Sequence, residues 1–195
     1  RQGQVHLANL LLVGLAINAL AMAGLGLLTY LASDTQQRAL NFWLLGSLAP
    51  SQWTTVLAVL PPVLLALIGA RTLQRPLDAL ALGEAQARVM GVNVKRLQLM
   101  CVGLTAMAVG AVTAVIGMVG FIGLLAPHLI RLLLGPRHHV VLPGSALMGA
   151  CLVLLADTAA RTVAPPVELP LGVLTGLIGA PVFLVLLRQR GPRAQ

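Results

Sequence analysis

Apolar residues run in long blocks along this chain, and the polar residues fall between them. From Gln2 to Ser33 there is no Asp, Glu, Lys or Arg. A membrane crossing needs about 20 predominantly apolar residues, so the pattern predicts a first spanning helix over roughly Leu7–Leu31. The polar patch Ser33–Arg38 ends it. Ala39–Leu48, which contains Phe42 and Trp43, is too short to span. It predicts a short amphipathic helix at the interface, because Trp prefers the headgroup level. Further apolar blocks predict spans over Trp53–Ala70, Leu97–Ile116, Ile122–Leu134, Val140–Ala160 and Leu171–Leu187. Gly117–Gly123 marks a reversal and Pro165-Pro166 a turn. The pattern therefore predicts an all-α, polytopic membrane protein with about six transmembrane helices.

Leu73–Arg96 breaks this rhythm, being polar-interrupted and rich in charge. After Pro76, Asp78 is placed to cap a short helix that Gly83 ends. Glu84–Met90 predicts a second short helix with Glu84 and Arg88 paired at i,i+4. Gly91 stands where a left-handed C-terminal cap is needed. Helices this short are marginal alone. Either they rest on the headgroups, or they form a rigid knuckle that fits the groove of a partner.

Composition narrows the class. Of 195 residues, 58% are hydrophobic and 9% charged, against about 25% charged in an average soluble domain. Mean hydropathy is +0.92. A soluble chain of this length cannot hide so much apolar surface. The formal charge is +8, from 13 Lys and Arg against 5 Asp and Glu. Nucleic-acid binding requires a concentrated basic face, whereas here the basic residues sit between uncharged runs. With six alternating spans, Arg1, Arg71, Arg75, Arg88, Lys95, Arg96, Arg131, Arg137, Arg188, Arg190 and Arg193 fall on one side. Only Arg38 and Arg161 fall on the other. That asymmetry places both ends of the chain in the cytoplasm.

Candidate chemistry is sparse. No P-loop, HExxH or GxSxG motif is present, so neither ATP binding nor hydrolytic catalysis is signalled. Cys101 and Cys151 lie in apolar stretches without a CxxC or a Cys/His cluster, and no metal site is expected. No removable signal peptide is evident, the first apolar run being much longer than a signal core. Asp157 is the one acid placed within the membrane, and Arg161, one turn later, is its expected partner. His138-His139 is expected to be solvated in a basic loop, and His128 to bond to backbone. Asn9 and Asn18 are costly amides in an apolar helix, so they are expected to face protein or a cavity. Glycines 14, 24 and 26, and 172, 176 and 179, form ridges that fit close packing within one bundle or at a subunit interface.

Several strings, in order, resemble one family, the FecCD-type permeases of ABC importers. They are Phe42–Leu48, Leu82–Val92, Gly120–Arg131, Leu155–Arg161, Glu168–Val173 and Gly179–Phe183. Family members have ten transmembrane helices, and this chain matches the last six. The resemblance implies a permease domain over residues 1–195, with a periplasmic short helix and a cytoplasmic coupling segment over residues 77–91. Its coupling residues would be Leu82, Gly83, Glu84, Ala87, Arg88 and Gly91, seated in a groove of a separate ATPase. The translocation pathway would be faced by Asn9, Asn18 and Met22 on the first span and by Gly172, Thr175 and Gly176 on the last. A periplasmic binding protein would dock at Asp34, Arg38 and Glu168.

Partners would also include a second permease subunit, identical or not, and membrane lipid, with no nucleic acid. No cofactor would be bound by this chain, and ATP and Mg would sit on the ATPase. The implied function is import of an iron chelate (ferric siderophore or haem) or of cobalamin across the bacterial inner membrane, by alternating access. The chain itself is not an enzyme. A secondary transporter should show a midplane ion site with broken helices or paired acids, which is lacking here. A purely structural membrane subunit is the plainer alternative.

Overall fold

The computed structural model describes residues 2–49, 51–163 and 169–188, with side chains described from residue 11 to residue 186 within those ranges. The chain divides into two compact units, Arg1–Phe42 and Trp43–Gln195. Nine helices occur among the described residues: α1 (Gln2–Leu31), α2 (Asp34–Leu45), α3 (Trp53–Thr72), α4 (Gln74–Ala81), α5 (Glu84–Val89), α6 (Val94–Ile116), α7 (Ile122–Leu134), α8 (His138–Val163) and α9 (Leu171–Arg188).

All six apolar blocks are helical. Four helices are long and apolar enough to cross a membrane: Leu11–Leu31 within α1, and α3, α6 and α8. The other two are shorter apolar helices, Ile122–Leu134 and Leu171–Leu186. At about 1.5 Å per residue, the 13 residues of α7 extend about 20 Å, short of a hydrocarbon core of about 30 Å. Large apolar side chains are exposed along every one of these helices, such as Leu20, Leu65, Leu99, Leu133, Leu154 and Leu177. Such surface suits lipid and not water. Several membrane-length apolar helices in one chain are the pattern of a multi-pass membrane protein.

In the first unit, α2 starts earlier than the hydrophobic pattern predicts, at Asp34 and not Ala39. The polar patch is its capping sequence. The Ser33 backbone N–H donates to Gln36 Oε1 at 3.0 Å, as the returning half of a capping box. The Gln37 side-chain amide donates to the carbonyls of Thr29 and Ala32 at 3.2 and 3.3 Å, satisfying acceptors left over at the end of α1.

The second unit is centred on two helix pairs, α3 with α6 and α7 with α8. Gly69 of α3 faces Leu104 of α6 so closely that an added Cβ would lie 2.7 Å from Leu104 Cδ1. Gly144 of α8 likewise meets Ile130 of α7, with a hypothetical Cβ 3.0 Å from Cγ2. Leu125, Ala126 and Ile130 of α7 and Val141 of α8 are buried.

Where α2 ends, α6 ends and α9 begins, three backbones converge. Gly117 adopts φ +77°, and a Cβ there would run into the Trp43 carbonyl. A Cβ on Gly172 would lie 2.6 Å from the Leu45 carbonyl and 2.7 Å from that of Met118. The approach permits the Ser47 N–H to reach the Ile116 carbonyl at 2.9 Å and the Leu171 N–H to reach the Gly46 carbonyl at 2.9 Å. Trp43 Nε1 donates to the Ala114 carbonyl at 3.2 Å. The last turn of α6 is thus capped by a distant part of the chain.

Candidate functional site

The knuckle between α3 and α6 is built from two short helices, each followed by a glycine of positive φ. Pro76 lies in the first turn of α4, where its missing N–H costs nothing because that turn's donors lack helical partners. Gly83 takes φ +113° between α4 and α5. After α5 the chain closes in a Schellman motif: the Gly91 N–H reaches the Arg88 carbonyl at 3.0 Å, and the Val92 N–H reaches the Ala87 carbonyl at 2.9 Å. Gly91 sits at φ +83°, the left-handed conformation that this motif requires. Ala79, Ala87 and Val94 form a small core against which Leu80 and Val92 pack. The Asn93 side chain then caps α6 by accepting the Arg96 N–H at 3.1 Å. The knuckle is therefore a packed body and not a loose loop.

Its outer surface is mixed. Arg88 donates to Glu84 Oε2 at 3.2 Å, one turn apart on α5. Beside this pair, Leu82, Val89 and Met90 are exposed at 64, 89 and 63%. The six residues that the family resemblance implies for coupling lie in this segment, with Ala87 fully buried inside it. Val89 and Met90, outside that set, add exposed apolar surface to the same segment.

Asp78 departs from its expected role. α4 begins at Gln74, with Leu73 at its N-cap, so Asp78 lies inside the helix and does not cap it. Its Oδ1 accepts the backbone N–H of His138 at 2.9 Å and bonds to His138 Nδ1 at 2.7 Å. It caps the start of α8 instead. The His138 N–H, together with the His138 ring and the nearby His139, holds the Asp78 carboxyl below its ordinary range, against a smaller opposing effect of desolvation. His138 is accordingly not the solvated loop residue expected, its side chain being 16% exposed.

Two other expectations concern side chains within the apolar helices. Arg161 Nε donates to Asp157 Oδ2 at 2.9 Å, the predicted i,i+4 pair. The His128 ring lies edge-on to Phe183 at 6.1 Å, an aromatic contact in place of the expected backbone bond.

The residues that the resemblance implies for a pathway fall in separate units. In the first, Asn18 and Met22 lie one turn apart on the same face of α1, both exposed; the side chain of Asn9 lies outside the described residues. In the second, Thr175 of α9 is 4% exposed, and its hydroxyl donates to the Gly172 carbonyl at 3.3 Å. Gly172 belongs to the three-backbone junction, and Gly179 packs against Phe121, whereas Gly176 has open space beside it. Asp34 and Arg38 are exposed one turn apart on α2, and Glu168 lies outside the described residues. Among the described residues no group of three or more His, Cys, Asp or Glu side chains could hold a metal ion.

Comparison with known proteins adds a family to this geometry. The model of the FecCD transport family matches residues 1–189. The hemin transport system permease protein HmuU of Yersinia pestis is 48% identical over 199 residues, covering 100% of this chain and 58% of that protein. The cobalamin import system permease protein BtuC of Halobacterium salinarum is 39% identical over 194 residues, covering 100% and 52%. The Fe(3+) dicitrate transport system permease protein FecC of Escherichia coli is 41% identical over 183 residues, covering 94% and 55%. A solved structure described as an inward-facing conformation of an ABC transporter of the metal-chelate type superposes with a TM-score of 0.86 at 36% identity. It covers 91% of this chain and 58% of its own. The chain thus spans little more than half the length of these relatives.

Proposed function

The chain belongs to the FecCD transport family, and from that premise we propose that it forms the permease of a binding-protein-dependent ABC importer. Its cargo is an iron chelate, haem or cobalamin, moved across the bacterial inner membrane with the C-terminus in the cytoplasm. The observation that carries this reading is the packed knuckle between two membrane-length helices, with Leu82, Val89 and Met90 exposed around the Glu84–Arg88 pair. Exposed apolar side chains on a rigid polar segment suit a helix-in-groove contact with a cytoplasmic partner. That partner is an ATPase subunit that holds ATP and Mg. A second permease, identical or not, completes the pathway. Closure of the ATPase pair moves the knuckles together and tilts the permease helices as rigid bodies, exposing the cargo to one side and then the other.

Asn9, Asn18 and Met22 on α1, and Gly172, Thr175 and Gly176 on α9, are assigned to the pathway on the family resemblance. Asp34, Arg38 and Glu168 are assigned to docking of the binding protein on the same ground. Hemin, ferric citrate and cobalamin are the cargoes to try first, being those named for relatives.

The test is made on the intact transporter reconstituted with ATPase and binding protein. Replacing Glu84 or Gly91 is expected to lower both cargo-stimulated ATP hydrolysis and uptake. Unchanged values for both would remove the coupling assignment. Deleting Asp78–Gly91 is expected to abolish co-purification of the ATPase. Uptake that follows a sodium or proton gradient and ignores ATP would favour a secondary transporter.

A further inference from the structure

Asp78 and His138 are 60 residues apart, and the sequence offers no reason to pair them. In the fold, one carboxylate oxygen of α4 receives both the first backbone N–H of α8 and the imidazole of the same residue, at 2.9 and 2.7 Å. Each side of this contact is attached to a body that does not yield easily. On the knuckle side, Ala79 is the next residue along α4 and is buried at 6%, against Ala87 at 0% and Val94 at 5%. On the membrane side, Val141 lies three residues beyond His138 and is 2% exposed. Gly144 there brings the α8 backbone against Ile130 of α7.

We propose that Asp78 and His138 are positioning residues that make the knuckle and the α7–α8 hairpin move as one body. This link rests on the importer reading above and names the path by which a displacement of the knuckle enters the membrane. Apolar contact between α4 and α8 resists separation but is non-directional, so packed helices can slide by an ångström or two. Hydrogen bonds are directional. Two of them converging on one oxygen fix the register of α4 against the first residue of α8. A displacement imposed at Leu82 or Val89 then passes through the Ala79–Ala87 core to Asp78, to His138, and along α8 with α7.

The experiment reads that register directly in the intact transporter assembled with its ATPase. Cys101 and Cys151 are replaced by Ser, and spin labels are attached at Arg75→Cys on α4 and Leu147→Cys on α8, both exposed positions. Distances are measured without nucleotide and after trapping with ATP and vanadate. The native pair is expected to show the same narrow distribution in both states. Asp78→Ala is expected to keep it without nucleotide and, on trapping, to shift or broaden it by about 2 Å, the scale of helix shear; His138→Ala, which loses only the ring bond, is expected to change it less and in the same direction. Asp78→Asn keeps an acceptor for the His138 N–H and is expected to restore most of the native distribution, which loss of folding would not explain. If Asp78→Ala does not fold, the smaller shift of His138→Ala carries the test, because that variant loses the ring bond while the carboxylate keeps its bond to the backbone N–H of residue 138. A native distance that itself changes between states, or alanine variants with the native distribution in both, overturns the link. Failure of the native chain to assemble with an ATPase overturns the importer reading instead.

Discussion

One oxygen of Asp78 holds the start of a 26-residue helix, and its titration has a defined sign. Its folded pKa lies below the ordinary carboxylate value, so its contribution to stability is complete above the unfolded value of about 3.9. That contribution fades as the pH falls through this value and is gone below the folded one. Thermal unfolding in detergent is expected to lose midpoint on this acid limb, and Asp78→Asn to lose correspondingly less. The side chain is 41% exposed, so the effect is modest, screened by solvent.

Glycines that share one ridge in the sequence are expected to behave differently. Gly172→Ala forces a methyl to within 2.6–2.7 Å of two carbonyls, and overpacking of this kind costs about 1–3 kcal/mol. Gly176→Ala meets nothing within 4 Å and is expected to be neutral or stabilising by up to about 1 kcal/mol. Unfolding midpoints of the two variants, measured side by side, check the contrast. The Asp157–Arg161 pair was legible in the sequence because i,i+4 spacing alone brings its members together. The Asp78–His138 pair was not, since nothing local specifies a contact across 60 residues.

At the scale of elements, helix ends decide how far hydrophobic pattern can be trusted. Hydrophobic pattern starts α2 too late, at Ala39, because it does not tell a linker from a cap, and Ser33 and Gln36 cap this helix. The start of α4 is set too late for a related reason: Pro76 and Asp78 look like an N-terminus, but the helix already runs from Gln74. The end of α5 was legible, because only glycine enters the left-handed Schellman position without strain. Gly91→Ala is expected to strain this turn by about 1–2 kcal/mol. Amide hydrogen exchange is expected to quicken across residues 84–92 while α3 and α6 keep their protection. Unaltered exchange there would mean that the knuckle is held by its partners and not by its own turn.

For the whole molecule, the distribution of charge makes a statement about sidedness that chemistry can check. Cysteines introduced singly at Arg88 and Arg137 are expected to react with a membrane-impermeant maleimide from the cytoplasmic side alone. A cysteine at Asp34 is expected to react from the opposite side alone. Reaction of Arg88→Cys and Asp34→Cys from one side would remove the assigned topology and place the knuckle away from an ATPase. The short helix α7 is where this test bears hardest, because its 13 residues lack the length of a straight crossing.

The sequence by itself determined the class, the six apolar helices, the two short glycine-ended helices and the local ion pairs Glu84–Arg88 and Asp157–Arg161. All of these follow from composition, from runs of a given length, or from residues within one or two helical turns. Only the tertiary structure decided that Asp78 caps α8, that Gly172 and Gly117 let three backbones meet, and that Ala87 lies inside the knuckle while Val89 and Met90 lie outside. These facts depend on which surfaces are brought together by packing. A lipid-soluble sequence, apolar on nearly every face, gives little hint of which face will be covered.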